Sequence, residues 1–255
     1  MIIFDDKSEP IIKAENCIHS KPDKFPSIAI SCYSKKLLNA FLEYNEHKII
    51  AETHSASNEV PVYEIERNGR KIALFCSQVG APASVGIYED FIAMGLDKLI
   101  LFGTCGVLSK DIQDCSIVIP TSSVREEGTS FHYVKASDEM PACTYFIDDF
   151  TSYLKRRGVS FVAGKNWTTD VPYRETKDKV AYFKERGVLS VDMEHSAMAA
   201  CAAFHKKKLL HFFYAADNLD NDTWDKRSLS NSARIDKKLE IFELVIDYAL
   251  HSKLF

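Results

Sequence analysis

Short apolar runs alternate with stretches of helical periodicity along most of the chain. SIAIS (Ser27 to Ser31) reads as a buried strand, and Lys35 to Tyr44 as the helix that follows it. VYEIE and KIALFCSQ flank Asn68-Gly69, the strongest short hairpin signal a sequence offers. Ala81 to Met94 reads as a helix. Lys98 to Phe102 is a continuous apolar strand of the kind found in sheets covered on both faces. SIVIP, SFVAG and LLHFFYAA predict further strands, and Asp148 to Arg157, Glu175 to Arg186, Glu194 to His205 and Ala233 to Leu250 further helices. Strands alternating with helices, plus one antiparallel hairpin, predict an α/β fold: a single domain over 1–255 with three α/β/α layers around a mixed central sheet. In such sheets ligands gather at the carboxyl ends of strands. That rule puts Gly103-Thr104-Cys105-Gly106, the Trp167 region and the Asp217 region on one rim.

Composition narrows the picture only a little. The 255 residues suffice for one sizeable core, and 46% hydrophobic with 27% charged residues is ordinary for a globular chain. A formal charge of −4 gives no electrostatic reason to expect a nucleic-acid partner. The seven cysteines are scattered and show no CxxC spacing, which argues against a disulfide framework or a structural zinc site and for a reducing compartment. The N-terminus turns acidic after four residues, unlike a signal peptide, and no apolar run approaches a membrane span of about 18 residues. A soluble, cytoplasmic protein with no membrane partner is the expectation.

The stretch LILFGTCGV (Leu99 to Val107) carries the sharpest question. It reads as a cysteine nucleophile, as a phosphate-holding loop, or as a tight turn after a buried strand. A reactive cysteine needs a base or cationic surroundings, and the residues near Cys105 offer neither.

Five segments, GAPASVGIYEDFIAMG, FGTCGVL, IPTSSVREEGTSFHY, VDMEHSA and AADN, occur in an order and spacing that resembles the nucleoside phosphorylase-I family. That family includes hexameric purine nucleoside phosphorylase, uridine phosphorylase and the methylthioadenosine/S-adenosylhomocysteine nucleosidases. The resemblance runs over about residues 27–250, and VDMEHSA is its most specific piece. It implies cleavage of an N-glycosidic bond through a ribosyl cation-like state, which requires holding the ribose, neutralising the leaving base and placing a nucleophile.

By that resemblance Glu194 accepts hydrogen bonds from the ribose 2′- and 3′-hydroxyls, and Met193 packs on the sugar. Asp217 is the catalytic acid that protonates purine N7. Trp167 stacks on the base. Thr104 and the amides around Gly103 hold phosphate, so the loop is a phosphate-site turn and Cys105 has no nucleophilic role. Plainer structural readings stand beside these: a helix N-terminus favouring acid at Glu194, a cap at Asp217, a core aromatic at Trp167. The glutamine and arginine that read uracil are replaced by Thr176 and Asp178, although Arg174 lies close by. His19 resembles an N-terminal histidine that reaches a neighbour's ribose, yet reads better as a surface residue. Arg125, Glu127 and His132 resemble residues that shape the pocket, and His195 and Ser196 look structural.

The phosphate site departs from the family. Its first loop, G-D-P-x-R, stands here as Ser31-Cys32-Tyr33-Ser34-Lys35; the arginine before the glycine loop is Leu101; a third arginine falls at Asn58. Each lost charge-assisted bond removes about 1.5–3 kcal/mol, and Lys35 restores only a point charge without arginine's fork. The resemblance thus implies a purine-preferring nucleoside phosphorylase with phosphate bound by Lys35, Thr104 and Gly103. A nucleosidase using water, a uridine phosphorylase and a non-catalytic nucleoside sensor are the alternatives. No cofactor beyond inorganic phosphate as co-substrate and no metal is expected, and a homo-oligomer (dimer or trimer of dimers) follows by analogy.

Overall fold

The computed structural model of the chain describes residues 3–18, 21–229 and 233–255; His19 lies outside them. Among the described residues ten strands form one mixed sheet, flanked by helices. In chain order they are β1 (Ile28–Cys32), α1 (Lys35–Leu42), β2 (Lys48–Ser55), β3 (Asn58–Arg67), β4 (Arg70–Cys76), α2 (Ala81–Ala93), β5 (Lys98–Val107), β6 (Ile117–Glu126), β7 (Glu139–Pro141), α3 (Ile147–Arg156), β8 (Phe161–Thr169), α4 (Lys177–Glu185), β9 (Val188–Asp192), α5 (His195–Phe204), β10 (Lys208–Asn218) and α6 (Ile235–His251). The α/β fold with helices covering a mixed sheet is therefore as the residue pattern predicts. Among the described residues no helix is long and apolar enough to cross a membrane.

The sheet runs β10-β6-β8-β9-β5-β1-β4-β3-β2, and β10 also pairs with β5. Strands β5, β10, β6, β8 and β9 thereby close on themselves, and β1, β4, β3 and β2 extend from the ring as an open wing. Strand β5 is the hinge of this arrangement, pairing parallel with β1 and β10 and antiparallel with β9. Its residues are almost all buried, as expected of a strand covered on both faces. One apolar layer packs α1, α3 and α6 against the sheet through Phe41, Phe150 and Phe242. The opposite layer packs α2 and α5 through Phe91, Met198 and Leu101.

Local chemistry sets the boundaries. Asn68 and Gly69 both take positive φ (53° and 72°), the twist a two-residue hairpin needs, so Arg67 pairs with Arg70 across the β3–β4 turn. The Thr176 hydroxyl accepts from the Lys179 amide and starts α4 one residue after Glu175.

Several strands outrun or escape the sequence reading. SIVIP and SFVAG extend to Glu126 and Thr169 as β6 and β8, and β2 and β9 were not anticipated. The largest correction is at residues 103–106. GTCG is no turn, because β5 continues through it to Val107 in register with β10. Its glycines serve close approach: a Cβ on Gly103 would meet the Tyr33 ring at 2.6 Å, and one on Gly106 would meet Leu219 at 2.5 Å.

Candidate active site

At the carboxyl ends of β5, β9 and β10 a cavity of about 980 Å³ opens to solvent. Thr104, Met193, Glu194 and Asp217 all line it, as expected, and Glu175 and Tyr33 line it as well.

Glu194 sits at the junction of β9 and α5, yet its side chain does not cap the helix. Asp192 does that work: its Oδ2 accepts from the backbone N–H groups of Glu194 (2.8 Å) and His195 (2.6 Å). Its Oδ1 accepts from Asn166 Nδ2 and Thr168 Oγ1, both at 2.7 Å. With the cap supplied by Asp192, the Glu194 carboxylate is left to face the cavity, where Oε1 accepts one bond, from the Gly80 N–H at 2.6 Å. Burial, then the Asp192 charge, pushes Glu194 upward, and burial pushes Asp192 upward too. Met193 lies beside it, half-buried in the same wall.

Asp217 ends the long apolar run of β10. Its Oδ2 accepts from the Trp224 indole N–H at 2.8 Å, and burial raises its carboxyl above the usual aspartate range. A buried acid on the cavity wall that keeps its proton more readily than a surface aspartate is what protonation of a leaving group requires.

Glu175 was read as the first residue of a helix. It precedes the Thr176 cap instead, and its side chain lines the cavity with Pro172 and Tyr173. Its carboxyl accepts no hydrogen bond from any described residue. Burial, followed by the charges of Asp217, Glu126 and Asp192, raises it to about 7, against the opposing effect of Lys179. The available signal was the Thr176 cap, which marks Glu175 as a residue outside the helix.

Three expected contacts are not in the cavity. Trp167 is fully buried within β8, its ring tilted against Phe183 at 4.5 Å between centroids, with its indole N–H donated to Glu126 Oε2 at 2.8 Å. Strand β8 runs two residues beyond it, so the ring points into the core beneath α4 and presents no face to a base. Lys35 is exposed and holds Asn58 Oδ1 at 2.8 Å, outside the cavity. Gly103 is covered by Tyr33, whose hydroxyl is 3.0 Å from Ser84 Oγ. Leu101, where an arginine was missed, is fully buried between Ser31 and His211 in register.

The remaining polar residues brace the walls. Arg125 donates to Ser130, Ser137 and the carbonyls of Val134 and Lys135. Glu127 accepts from Ser196 Oγ at 2.8 Å, and His195 Nδ1 lies 2.7 Å from Ser123 Oγ. Burial and the nearby Asp217 and Asp192 carboxylates push the Cys105 thiol well up, so it stays protonated and is no nucleophile.

A family model described as the phosphorylase superfamily matches residues 27–244. The chain belongs to the phosphorylase superfamily. Among curated relatives, a purine nucleoside phosphorylase DeoD-type of Buchnera aphidicola is 24% identical over 245 residues, covering 91% of this chain and 98% of that protein. One of the same description from Brevibacillus brevis is 25% identical over 188 residues, covering 71% and 77%. A crystal structure of uridine phosphorylase from Vibrio fischeri superposes with a TM-score of 0.72 at 19% identity, covering 91% of this chain and 95% of that one. The names of these relatives, purine nucleoside phosphorylase and uridine phosphorylase, differ in the base.

Proposed function

We propose that the chain cleaves the N-glycosidic bond of nucleosides, purines in preference to uridine. The observation that carries this reading is one cavity lined by Glu194, Met193 and Asp217, with both carboxyls raised and open to a ligand. Glu194, once ionised, accepts the ribose hydroxyls, a task suited to a carboxylate because it takes two donors at once. As the bond from C1′ to the base nitrogen breaks, its electron pair leaves with the base and Asp217 delivers a proton to purine N7. Glu175 faces the base end and meets its N–H or amino donors. A non-catalytic sensor would have no use for the acid at 217.

The nucleophile completes the reaction by bonding to C1′. Inorganic phosphate is the co-substrate the superfamily implies, and Thr104 remains in the cavity to donate to it. Water is the second reading, favoured by a specific observation: Tyr33 covers Gly103, Lys35 is turned to Asn58, and among the described residues no arginine lines the cavity. A dianion beside the Tyr33 ring would meet the like charge of Glu194 with no arginine fork to hold it, the cations that line the cavity being Lys110, Lys177 and Lys184. Assembly as a homo-oligomer and a cytoplasmic setting go with either reading.

Purified protein incubated with inosine, guanosine, adenosine and uridine, with and without phosphate, tests both halves. Purine release supports the cleavage reading, and uridine cleavage without purine activity overturns the base preference. Ribose 1-phosphate marks phosphorolysis; free ribose at a rate independent of phosphate marks hydrolysis.

A further inference from the structure

On the side of α5 away from the cavity, Cys201 and His205 stand one helical turn apart on the same face. Glu89 of α2 meets them, and the three candidate donor atoms lie within 4.8 Å of one another. Glu89 Oε1 is 2.8 Å from His205 Nε2, while Oε2 accepts from the Tyr133 hydroxyl at 2.8 Å. None of the four lines the cavity.

We propose that Cys201, His205 and Glu89 form a zinc site, with the Tyr133 oxygen or a water as fourth ligand. The donor set is a sulfur, an imidazole nitrogen and a carboxylate oxygen, the mixture that suits zinc and cobalt(II) and disfavours magnesium or calcium. Charge supports the assignment. Cys201 is fully buried and Glu89 and His205 are each about 30% exposed; a divalent cation with one thiolate and one carboxylate is neutral, which such a partly buried position tolerates. The two part-exposed side chains also leave an entry path from solvent.

Binding would displace the Cys201 thiol proton to solvent and move the His205 proton from Nε2 to Nδ1, freeing Nε2 to ligate. Zinc sits about 2.0–2.3 Å from such donors, so the three side chains close by an ångström or so around it. The site ties α2 to α5, whose opposite ends present Gly80 and Glu194 to each other, and its role is to brace that pair. Cysteine spacing alone gave no hint of it, because one ligand comes from a helix more than a hundred residues away.

Chelator-treated full-length protein titrated with cobalt(II) tests the proposal. One equivalent is expected to raise a thiolate-to-cobalt charge-transfer band and the intense visible bands of four-coordinate cobalt, and zinc is expected to bleach both. Cys201→Ala is expected to lose the charge-transfer band, and His205→Ala to weaken binding by more than the roughly 10- to 100-fold typical of outer-sphere partners. Zinc is expected to raise the Tm of the wild type and not of His205→Ala, a part-exposed position at which folding survives if Cys201→Ala does not fold. Absence of the band in the wild type, its persistence in Cys201→Ala, or unchanged affinity in His205→Ala overturns the site.

Discussion

On the part of the cavity proposed to take base and ribose, three carboxyls face the open space with few partners: Glu194 with one backbone N–H, Asp217 with one indole N–H, Glu175 with none. At the other end an aromatic ring lies on Gly103 and a leucine fills the layer beneath. The contrast bears on what each end must do. Acidic side chains with unspent acceptor capacity and raised pKa values are costly to keep in a fold, since burial penalises their ionised forms. Their presence at one end marks a surface waiting for hydroxyl and N–H donors. A tyrosine hydrogen-bonded to Ser84 and packed on a glycine costs little, and marks an end already filled.

The comparison breaks most directly at Asp217. Asp217→Asn retains the Trp224 hydrogen bond, since the amide oxygen still accepts, but has no acidic proton to give. Loss of a positioned general acid costs about 10²- to 10⁴-fold, so kcat on purine nucleosides is expected to fall in that range with Tm little changed. Wild-type turnover in this variant would make Asp217 a cap.

Next in size is Glu194→Ala. Removing the acceptor for two sugar hydroxyls costs about 1.5–3 kcal/mol per bond, or roughly 10- to 200-fold in kcat/KM for each hydroxyl that it serves. Ribonucleosides are expected to lose more than 2′-deoxyribonucleosides, which carry one donor fewer. Equal losses on both would place Glu194 away from the 2′-hydroxyl. Since Asp192 supplies the helix cap, the variant is expected to keep α5 intact by circular dichroism.

That Glu194 and Asp217 share one cavity was legible in the sequence because they sit at chain junctions that the motif order defines: Glu194 at a strand-to-helix step, Asp217 at the end of an apolar run. The nucleophile end was not. A glycine within an apolar stretch signals either a turn or a close approach, and only the register of β5 against β10 shows that Gly103 and Gly106 are the second kind. Trp167 failed for a related reason, because whether a strand stops before it or two residues after it decides which way the ring points. Lys35 was chosen for its charge, which says nothing of where a flexible side chain finds its partner. Glu175 was lost to a helix boundary misplaced by two residues, the least reliable feature of any reading from one sequence.

The filled end yields to two smaller substitutions. Tyr33→Ala uncovers Gly103 and is expected to make cleavage more sensitive to phosphate, by a few-fold, measured as rate against phosphate concentration. Lys35→Ala is expected to leave that dependence unchanged, since its Nζ is held by Asn58 outside the cavity. A raised phosphate requirement in Lys35→Ala would restore lysine to the site. Leu101→Arg is the poorer probe: it buries a guanidinium beside His211, whose ring nitrogens have no hydrogen-bond partner, and several kcal/mol of stability are expected to go with it.

The finest test concerns Glu175 and reads stability instead of rate. Its carboxyl moves from 4.5 to about 7 on folding, chiefly through burial. Between those values the folded chain holds a proton that the unfolded chain has released, so the unfolded state binds fewer protons and stability falls as pH rises. Above about pH 7 the penalty is complete and the slope from this residue ends. Glu175→Gln keeps the shape and removes the charge. It is therefore expected to match the wild type near pH 4.5, to gain on it steadily up to about 7, and to hold a constant advantage beyond. With a side chain that is partly open to solvent, the plateau is about 1–2 kcal/mol after screening, readable as Tm against pH in the ligand-free protein. Asp217, Asp192, Glu126 and Lys179 face the same carboxyl and carry their own pH dependence, so the difference between the two proteins, and not either curve alone, is the measurement. A difference that stays flat from 4.5 to 8 would mean that Glu175 ionises as an ordinary surface glutamate and that the base end is less dry than the structure makes it.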